Sequence, residues 1–404
     1  EHRFGHFFRV RLVGPAIVMA KVEEVGDGVY VAEYEAQEPG IYNMTIELQH
    51  VSGTGIADPG TGTPRFFVNQ ELRGSPFEVE IKIDKDERRE TNSRLCRGRS
   101  ELSEEGSGRW VHRDVCLWHG DYCEGVDSSR FDRMDNENVH NDPWIWVPTN
   151  CVLKPYTAED YEKCAGNQTV LFISGTSLFR TMYYDIICML DSNCTAKKEH
   201  EDLGFPGPPK VFFHWIARFA DHEMFKDPPL GSVDDRTGRL RYNDTIQHLM
   251  EAIAAESPSK EDVIILGSQI FDILKAPMED YEANLVLLID ALAKVNGTVL
   301  WRTGEALHDA TLDNSWDFNT RPGRYMNDPR MQRANDMATR LFRAAGFGVI
   351  DAHAITHGRQ DRSHDGTHYW NMKHFHTSGG DVRLGNGVSN TNAQVLLNWM
   401  CNPR

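Results

Sequence analysis

The stretch that decides the fold of this chain reads Thr169-Val170-Leu171-Phe172-Ile173-Ser174-Gly175-Thr176-Ser177-Leu178-Phe179-Arg180. Its apolar first part predicts a short buried β-strand, and Gly175 allows a tight turn before a helix over Leu178 to Leu190. Ser177 would then stand at a helix N-terminus, where backbone N–H groups are unpaired and the dipole is positive. An oxyanion beside its hydroxyl would be stabilised there. The simpler interpretation is that Ser177 is the helix N-cap.

A second motif, Asp365-Gly366-Thr367-His368, stands near the other end of the chain. A serine nucleophile needs an imidazole to take its proton, and that imidazole needs a carboxylate to fix its tautomer. The two motifs together therefore predict a catalytic site with Ser177 as nucleophile, His368 as general base and Asp365 as the carboxylate that orients the base.

Strand and helix patterns alternate from Cys151 onward, which predicts a parallel sheet with helices on both faces and a site at the carboxyl ends of the strands. The predicted strands are Thr169–Ile173, Lys210–His214, Asp262–Leu266, Gly297–Arg302 and Gly348–Ala352. The predicted helices are Leu178–Leu190, Thr245–Ala255, Tyr281–Lys294, Asp328–Ala345 and Asn392–Trp399. Ser177 follows the first of these strands, so the motif and the fold place the site at the same edge.

The first 83 residues differ from the rest, because turns alternate there with short strands of period-two pattern. Residues 1–83 are therefore predicted to form a β-sandwich. Asp84 to Ser107 is charged and poor in large apolar residues, which predicts a linker over 84–107. A second domain is expected over 108–404, and its first part, 108–165, is rich in Cys and Trp.

Three segments of the N-terminal part, Gly26-Asp27-Gly28-Val29-Tyr30, Glu38-Pro39-Gly40-Ile41-Tyr42 and Gly74-Ser75-Pro76-Phe77, resemble those of a filamin-type immunoglobulin-like repeat. The resemblance implies an all-β immunoglobulin-like sandwich of the filamin type. Such a module more often binds or spaces than catalyses, so a protein partner is expected through it. The alternative role is a structural cap on the neighbouring domain.

A second resemblance rests on Gly108-Arg109-Trp110, Cys116, Tyr122-Cys123, Trp144-Ile145-Trp146-Val147-Pro148, Cys151-Val152-Leu153, the serine turn with Arg180 three residues after Ser177, and the late Asp-x-x-His. Residues 95–404 resemble the PC-esterase branch of the SGNH/GDSL hydrolases, which includes trichome-birefringence-like polysaccharide O-acetyltransferases and neurexophilin-and-PC-esterase (NXPE) proteins. The resemblance implies a three-layer α/β SGNH-hydrolase-like domain with a parallel sheet and a Ser-His-Asp triad. Its expected chemistry is acetyl transfer to a glycan or acetyl-ester hydrolysis, without a cofactor.

Two departures from the family pattern concern the oxyanion site. Thr176 stands where the family usually has Asp, and a Gly-x-Asn-Asp block is missing. The nearest block runs from Val263 to Gln269, so that Gly267 or Gln269 could donate to an oxyanion, or could simply end a core strand. Gly175 and Arg180 are further candidates for oxyanion or substrate contacts. The departures leave open a catalytically inactive, structural or adhesive component of a cell surface or extracellular assembly.

Cysteine and glycosylation patterns predict the compartment. Eight Cys without a Cys-x-x-Cys pair favour disulfides over a zinc site, with the pairing undetermined: Cys96, Cys116, Cys123, Cys151, Cys164, Cys188, Cys194 and Cys401. Five N-glycosylation sequons accompany them, at Asn43, Asn167, Asn193, Asn243 and Asn296. Together they predict the secretory pathway, with a cell-surface, extracellular or Golgi-lumenal location. The chain begins at Glu1 and is interpreted as a mature or trimmed product.

Charge, hydropathy and motif patterns limit the kinds of ligand and segment expected of this chain. The net charge of −17 argues against nucleic acid, and a neutral glycan remains compatible with it. No run of 18 apolar residues occurs, so we expect no transmembrane segment in this chain. A metal site is the rival reading of a C-terminal histidine cluster, but the cluster lacks a His-Glu-x-x-His pattern, and no metal is predicted. Its members are His353, His357, His364, His368, His374 and His376.

Overall fold

The fold is known from a computed structural model, which describes residues 5–51, 67–82, 95–96, 98–103, 108–118, 142–149, 151–173, 176–191, 203–205, 207–216, 242–256, 258–267, 270, 272–273, 276–308, 326–363, 365–369 and 387–402. These residues form a β-rich N-terminal region with antiparallel sheets and a later α/β region whose sheet is mostly parallel. The predicted division into two kinds of architecture is thus confirmed at this level. The finer assignment to immunoglobulin-like and SGNH folds stays a prediction.

Among the described residues, nine strands build the N-terminal region: β1 (Phe7–Val13), β2 (Ala16–Met19), β3 (Lys21–Gly26), β4 (Val29–Glu33), β5 (Gly40–His50), β6 (Phe67–Glu71), β7 (Phe77–Ile81), β8 (Gly108–His112) and β9 (Trp144–Pro148). Seven of them join in one antiparallel sheet of order β6-β5-β1-β2-β8-β9, in which β7 also pairs with β5. Strands β3 and β4 form a separate hairpin across the predicted Gly26-Asp27-Gly28 turn. The sheet therefore takes strands from both sides of the predicted linker.

The described part of that linker is structured. Residues Gly98–Ser103 form helix α1, on which Leu102 is buried, and Cys96 is bonded to Cys151. This differs from the expectation of a linker over 84–107. One apolar side chain and one disulfide anchor a segment whose composition is otherwise that of a linker.

The α/β region follows with the helices α2 (Arg113–Trp118), α3 (Ala158–Ala165), α4 (Ser177–Leu190), α5 (Tyr242–Ala255), α6 (Met278–Leu292), α7 (Asp328–Ala344), α8 (Ala352–His357) and α9 (Gly387–Cys401). Its strands are β10 (Thr169–Ile173), β11 (Leu203–Phe205), β12 (Lys210–His214), β13 (Val263–Leu266), β14 (Thr298–Arg302) and β15 (Gly348–Ile350). The sheet order is β11-β12-β10-β13-β14-β15, and every pair except β11 with β12 is parallel. All five predicted strands and all five predicted helices are confirmed, with shifted ends.

Apolar side chains alternate between two cores, one on each face of the parallel sheet. Val170 and Phe172 of β10 pack in the core that contains α4 and α9, whereas Leu171 and Ile173 pack with α5, α6 and α7. A strand buried on both faces must be apolar throughout, which is why its sequence reads as a continuous hydrophobic run. The helices on both faces confirm the predicted layering.

The β-rich sheet has an apolar cluster of its own around Leu12 and Tyr42, and it also contributes side chains to a core of the α/β region. Ile17 of β2 and Trp110 of β8 belong to the buried cluster that contains α4 and α9, and the Trp110 indole donates to the Ile355 carbonyl at 2.8 Å. A buried Arg359 reaches Asp142, just before β9, with both carboxylate oxygens within 3.0 Å. The β-rich sheet is therefore packed against the α/β region rather than tethered to it.

Two disulfides connect described cysteines. Cys96 is bonded to Cys151, and Cys164 on α3 is bonded to Cys401 at the end of α9. The second spans 237 residues of sequence, so in the chain-entropy account it stabilises the fold by about 5 kcal/mol. Cys188 is also disulfide-bonded. Such bonds are compatible with a secreted or lumenal protein.

Surface features bear on the same compartment. The sequon residues Asn43, Asn167 and Asn296 are exposed, while the side chains of Asn193 and Asn243 lie outside the described residues, as do those of Cys116, Cys123 and Cys194. Among the described residues, no helix combines the length and the apolar character needed to cross a bilayer.

Candidate active site

Ser177 lies where the strand order of the parallel sheet reverses. From β10 the chain moves to one neighbour, β12, and then returns to the other side of β10 to form β13. Such a reversal opens a crevice between the two strands at their carboxyl ends, and ligands of open α/β sheets bind there. Ser177 follows β10 and Gly267 follows β13. The strand order thus supports a site at this position independently of the sequence motifs.

The start of helix α4 is set by Thr176. Thr176 is the N-cap of α4, and its hydroxyl accepts a hydrogen bond from the backbone N–H of Phe179 at 3.3 Å. Ser177 is therefore the first residue of the helix, and the interpretation of Ser177 as the N-cap is wrong. Threonine is a good N-cap, so residue 176 fixes the helix start directly before Ser177.

The structure brings Ser177, His368 and Asp365 together. Ser177 Oγ lies 2.6 Å from His368 Nε2, and His368 Nδ1 lies 2.5 Å from Asp365 Oδ2. The side chains of His368 and Asp365 are 14% and 21% exposed, so the pair is sheltered but remains open to solvent on one side. A hydroxyl, an imidazole and a carboxylate in this order form the arrangement needed to activate a serine.

A tight loop holds the carboxylate of Asp365. Asp365 Oδ1 accepts from the backbone N–H groups of Thr367, at 2.9 Å, and His368, at 2.7 Å. Gly366 between them has a φ of +79°, a conformation that favours glycine. The motif therefore fixes the carboxylate to the backbone of the histidine that it orients.

Electrostatics keep this carboxylate ionised. Burial acts to raise the pKa of Asp365, but hydrogen bonds from the His368 ring and from two backbone N–H groups outweigh it and lower the pKa to about 2. Because the pKa is lower than in an unfolded chain, its stabilising contribution is complete above the unfolded pKa of about 3.9. That contribution is lost as the pH falls through about 2.

Gly267 is explained by packing as much as by oxyanion binding. A Cβ at this position would lie 2.5 Å from the Arg302 carbonyl oxygen and 2.6 Å from the Phe179 ring. Glycine is thus required where β13 ends against β14 and α4, which favours the reading of Gly267 as the end of a core strand. Its role toward an oxyanion remains a prediction.

We expect Gly267→Ala to lower the free energy of unfolding by about 1–3 kcal/mol, because the added methyl meets backbone that cannot rotate away. Denaturant titration measures this effect. Gly346→Ala cannot serve as the control, because alanine at its φ of +82° would add backbone strain. Ala283→Gly, at an exposed position of α6, is the matched surface control, with an expected cost of about 1 kcal/mol from helix propensity.

Three further residues were predicted to contact the oxyanion or the substrate: Arg180, Gly175 and Gln269. Arg180 is buried one turn along α4, and its guanidinium lies 5.6 Å from the centre of the Trp215 ring. Its predicted substrate contact stays a prediction. Gly175 and Gln269 lie outside the described residues.

The structure separates the histidines of the C-terminal cluster, with His353 and His357 near Asp328 and His368 near Ser177. His353 Nε2 and His357 Nε2 lie 3.0 and 3.3 Å from the carboxylate of Asp328. Within the part of the chain that the structure describes, no group of three or more His, Cys, Asp or Glu side chains is placed to hold a metal ion. In this part of the chain, His353 is hydrogen-bonded to the buried Asp328 carboxylate, His357 lies within ion-pair distance of it, and His368 stands apart at the serine.

Sequence reasoning missed a buried histidine behind the site. His308 Nε2 lies 2.7 Å from the hydroxyl of Tyr369, the residue that follows His368, and the His308 backbone N–H donates to the Gly366 carbonyl at 2.8 Å. The available signal was the group of polar residues Thr303, Glu305 and His308, which directly follows the buried strand β14. Polar residues at the carboxyl end of a strand commonly serve a site.

Comparison with known proteins adds no family to these observations. No family model matches the chain, and no curated protein sequence matches it. The function is therefore argued from the fold, the site geometry and the sequence motifs.

Proposed function

We propose that this protein is a serine acyl-ester enzyme of the PC-esterase kind, acting as a glycan O-acetyltransferase or O-acetylesterase. The observation that carries the proposal is the continuous Ser177–His368–Asp365 hydrogen-bond chain, with separations of 2.6 and 2.5 Å. Its position at a helix N-terminus and at the reversal of the strand order supports the same conclusion. The proposal includes an SGNH-type three-layer fold for the α/β region.

The geometry suggests the order of the proton transfers. His368 donates its Nδ1–H to Asp365, which leaves the Nε2 lone pair facing the Ser177 hydroxyl. As Ser177 Oγ attacks the acyl carbonyl, His368 takes the hydroxyl proton, and Asp365 stabilises the resulting imidazolium. Ser177 is the first residue of α4, where helix N–H groups have no intrahelical acceptor, and its backbone N–H is the proposed donor to the negative charge that develops on the acyl oxygen.

Release of the first product uses the same proton. The tetrahedral intermediate collapses, the bond to the leaving oxygen breaks, and His368 returns the proton to that oxygen. An acyl-serine remains. A water or a sugar hydroxyl then attacks it, with His368 again acting as base and then as acid. Esterase and transferase differ only in this acceptor.

The substrate class follows from the resemblance and from charge. Acetyl groups on a glycan are the substrates that the PC-esterase motifs imply, and a net charge of −17 favours a neutral glycan over a polyanion. Two disulfides and exposed sequon residues are consistent with a secretory location, where glycans are modified.

A serine-reactive fluorophosphonate tests the proposal. We expect stoichiometric labelling of Ser177 in the folded, oxidised protein, located by peptide mass mapping, because only an activated serine attacks phosphorus readily. The matched control is His368→Asn, which keeps the hydroxyl but removes the base and should slow labelling at least tenfold. Labelling that is absent, or equal in the control and the unaltered protein, would contradict an activated serine.

A non-enzymatic adhesive or structural component is the second candidate. The observation that favours it is a group of large apolar side chains exposed on the β3–β4 hairpin, namely Val25, Val29 and Val31, with exposed fractions of 62, 55 and 41%. Exposed apolar groups of this kind are found at partner surfaces. An unreactive Ser177 in the labelling experiment would favour this candidate, with the β-rich region as the partner surface.

A further inference from the structure

We infer that His308 is a positioning residue of the proposed active site, which holds the loop of Asp365 and His368 in place through the hydroxyl of Tyr369. This inference rests on the proposed function and adds to it a residue from a distant part of the chain. His308 belongs to neither motif of the triad and is separated from Tyr369 by 61 positions.

His308 contacts the loop of Asp365 and His368, here called the triad loop, at two points, one on each side of His368. Its backbone N–H donates to the carbonyl of Gly366 at 2.8 Å, and its Nε2 lies 2.7 Å from the Tyr369 hydroxyl. The bracketed segment, Gly366 to Tyr369, includes His368 and its direct neighbours. A shift of either contact therefore moves the imidazole relative to Ser177.

The segment that carries His308 is itself fixed by three side chains from two helices, α7 and α8. Asn335 on α7 bonds both the N–H and the carbonyl of Gly304, each at 2.9 Å. The Thr356 hydroxyl on α8 accepts from the Ala306 N–H at 2.8 Å, and the Asp328 carboxylate accepts from the next N–H of the segment, also at 2.8 Å. The support beneath His308 is therefore rigid.

The burial of this support indicates more than a packing role. Residues 303–308, which follow β14 as a loop, are all buried, although a loop usually runs over the surface because its backbone polar groups need partners. The chain satisfies them with Asn335, Thr356 and Asp328, each of which is at least 96% buried. Burying such polar side chains is costly, and the gain is a fixed platform under the triad loop.

Both partners of the clamp are electrically neutral. Burial lowers the pKa of His308 to about 3 and raises the pKa of the Tyr369 phenol well above its usual value. The contact is therefore a hydrogen bond between uncharged groups over the whole working range of a serine hydrolase. The Tyr369 hydroxyl also lies 3.3 Å from the Thr356 carbonyl, which keeps the phenol in place.

Kinetics of aryl acetate hydrolysis test the clamp. We expect His308→Phe and Tyr369→Phe each to lower kcat on the order of tenfold, with KM changed less than about twofold, because a displaced imidazole slows chemistry without altering binding. His308→Gln retains a side-chain N–H in reach of the phenol and should restore most of kcat. The matched control is Tyr281→Phe, at another fully buried tyrosine, which should leave kcat unchanged.

The double variant His308→Phe/Tyr369→Phe shows whether the two residues act together. If they form one clamp, the double variant loses about as much kcat as either single variant; independent residues would lose on the order of a hundredfold. Equal rates for His308→Phe, His308→Gln and the unaltered protein would overturn the inference, as would a loss that tracks only the unfolded fraction in thermal melts.

A spectroscopic readout separates this inference from the proposed function. The proton shared by His368 Nδ1 and Asp365 gives a downfield proton NMR resonance in folded protein, whether or not the serine is active. We expect it to broaden or move in His308→Phe and to return in His308→Gln. If the unaltered protein is not labelled by fluorophosphonate, the proposed function fails while this resonance still decides whether the clamp exists. An unchanged resonance in His308→Phe overturns the clamp.

Discussion

Ser177→Ala is expected to lower kcat for aryl acetate hydrolysis by on the order of 10⁴-fold or more, since the nucleophile is removed and only binding and oxyanion stabilisation remain. The variant should keep its fold, because a half-buried hydroxyl with one hydrogen bond contributes only about 1 kcal/mol to the free energy of unfolding. Steady-state kinetics and a thermal melt of the same sample measure both effects.

The matched control for this substitution is Ser259→Ala. Ser259 lies just before β13, at the amino end of the strands, and its hydroxyl accepts from the nearby N–H of Glu261 at 3.3 Å. It should retain full activity. Retention of more than a tenth of the activity by Ser177→Ala would instead place the chemistry on another residue and remove the basis of the proposed triad.

The α/β region is readable from sequence because its strands and helices carry local signals. Val170 to Ile173 is apolar without interruption, as expected of a strand buried on both faces, whereas the N-cap of α4 was assigned one residue late, to Ser177 instead of Thr176. Helix and strand ends were less accurate; α9, for example, begins at Gly387 rather than Asn392. Fraying and weak caps make such ends depend on tertiary contacts.

The joint between the regions depends on partners that are distant in sequence. The pairing of Ile17 with Trp110 joins β2 to β8 across the predicted linker, and neither strand carries a local signal for the other. The clamp of His308 and Tyr369 has the same character, because a buried histidine after a strand also fits a simple core role. By contrast, Ser177 and His368 were found from sequence because each stands in a short motif with a chemical rationale.

The second large effect concerns this joint. Asp142→Ala is expected to lower the free energy of unfolding by about 3–5 kcal/mol, because it leaves the guanidinium of a fully buried arginine without its main counter-charge. Arg359 Nη2 lies 2.8 and 3.0 Å from the two oxygens of Asp142, and the guanidinium stacks 4.5 Å from the centre of the Trp110 ring. Asp361, also bonded to Arg359, is 41% exposed and provides weaker compensation.

Denaturant unfolding of the disulfide-bonded protein measures this loss, and a double variant apportions it. Arg359→Met removes the buried charge that Asp142→Ala leaves unpaired. The double variant Asp142→Ala/Arg359→Met should therefore lose less free energy of unfolding than the sum of the losses in the single variants. Glu159→Ala breaks an exposed pair with Lys163 and is the surface control, with an expected cost below about 0.5 kcal/mol.

The shape of the same transition tests whether the regions unfold together. Besides Asp142 and Arg359, a second buried pair joins Glu38, which precedes the predicted linker, to Arg109 on β8, which follows it, at 2.8 Å. Because the Glu38–Arg109 pair and the Ile17–Trp110 contact cross the predicted linker, and the Asp142–Arg359 pair joins the β-rich sheet to the α/β region, Asp142→Ala should shift one cooperative transition seen alike by tryptophan fluorescence and far-UV circular dichroism. Two separated transitions, or a proteolytic fragment of residues 1–83 that stays folded alone, would show instead that the sheet is completed without β8 and that the linker reading was right.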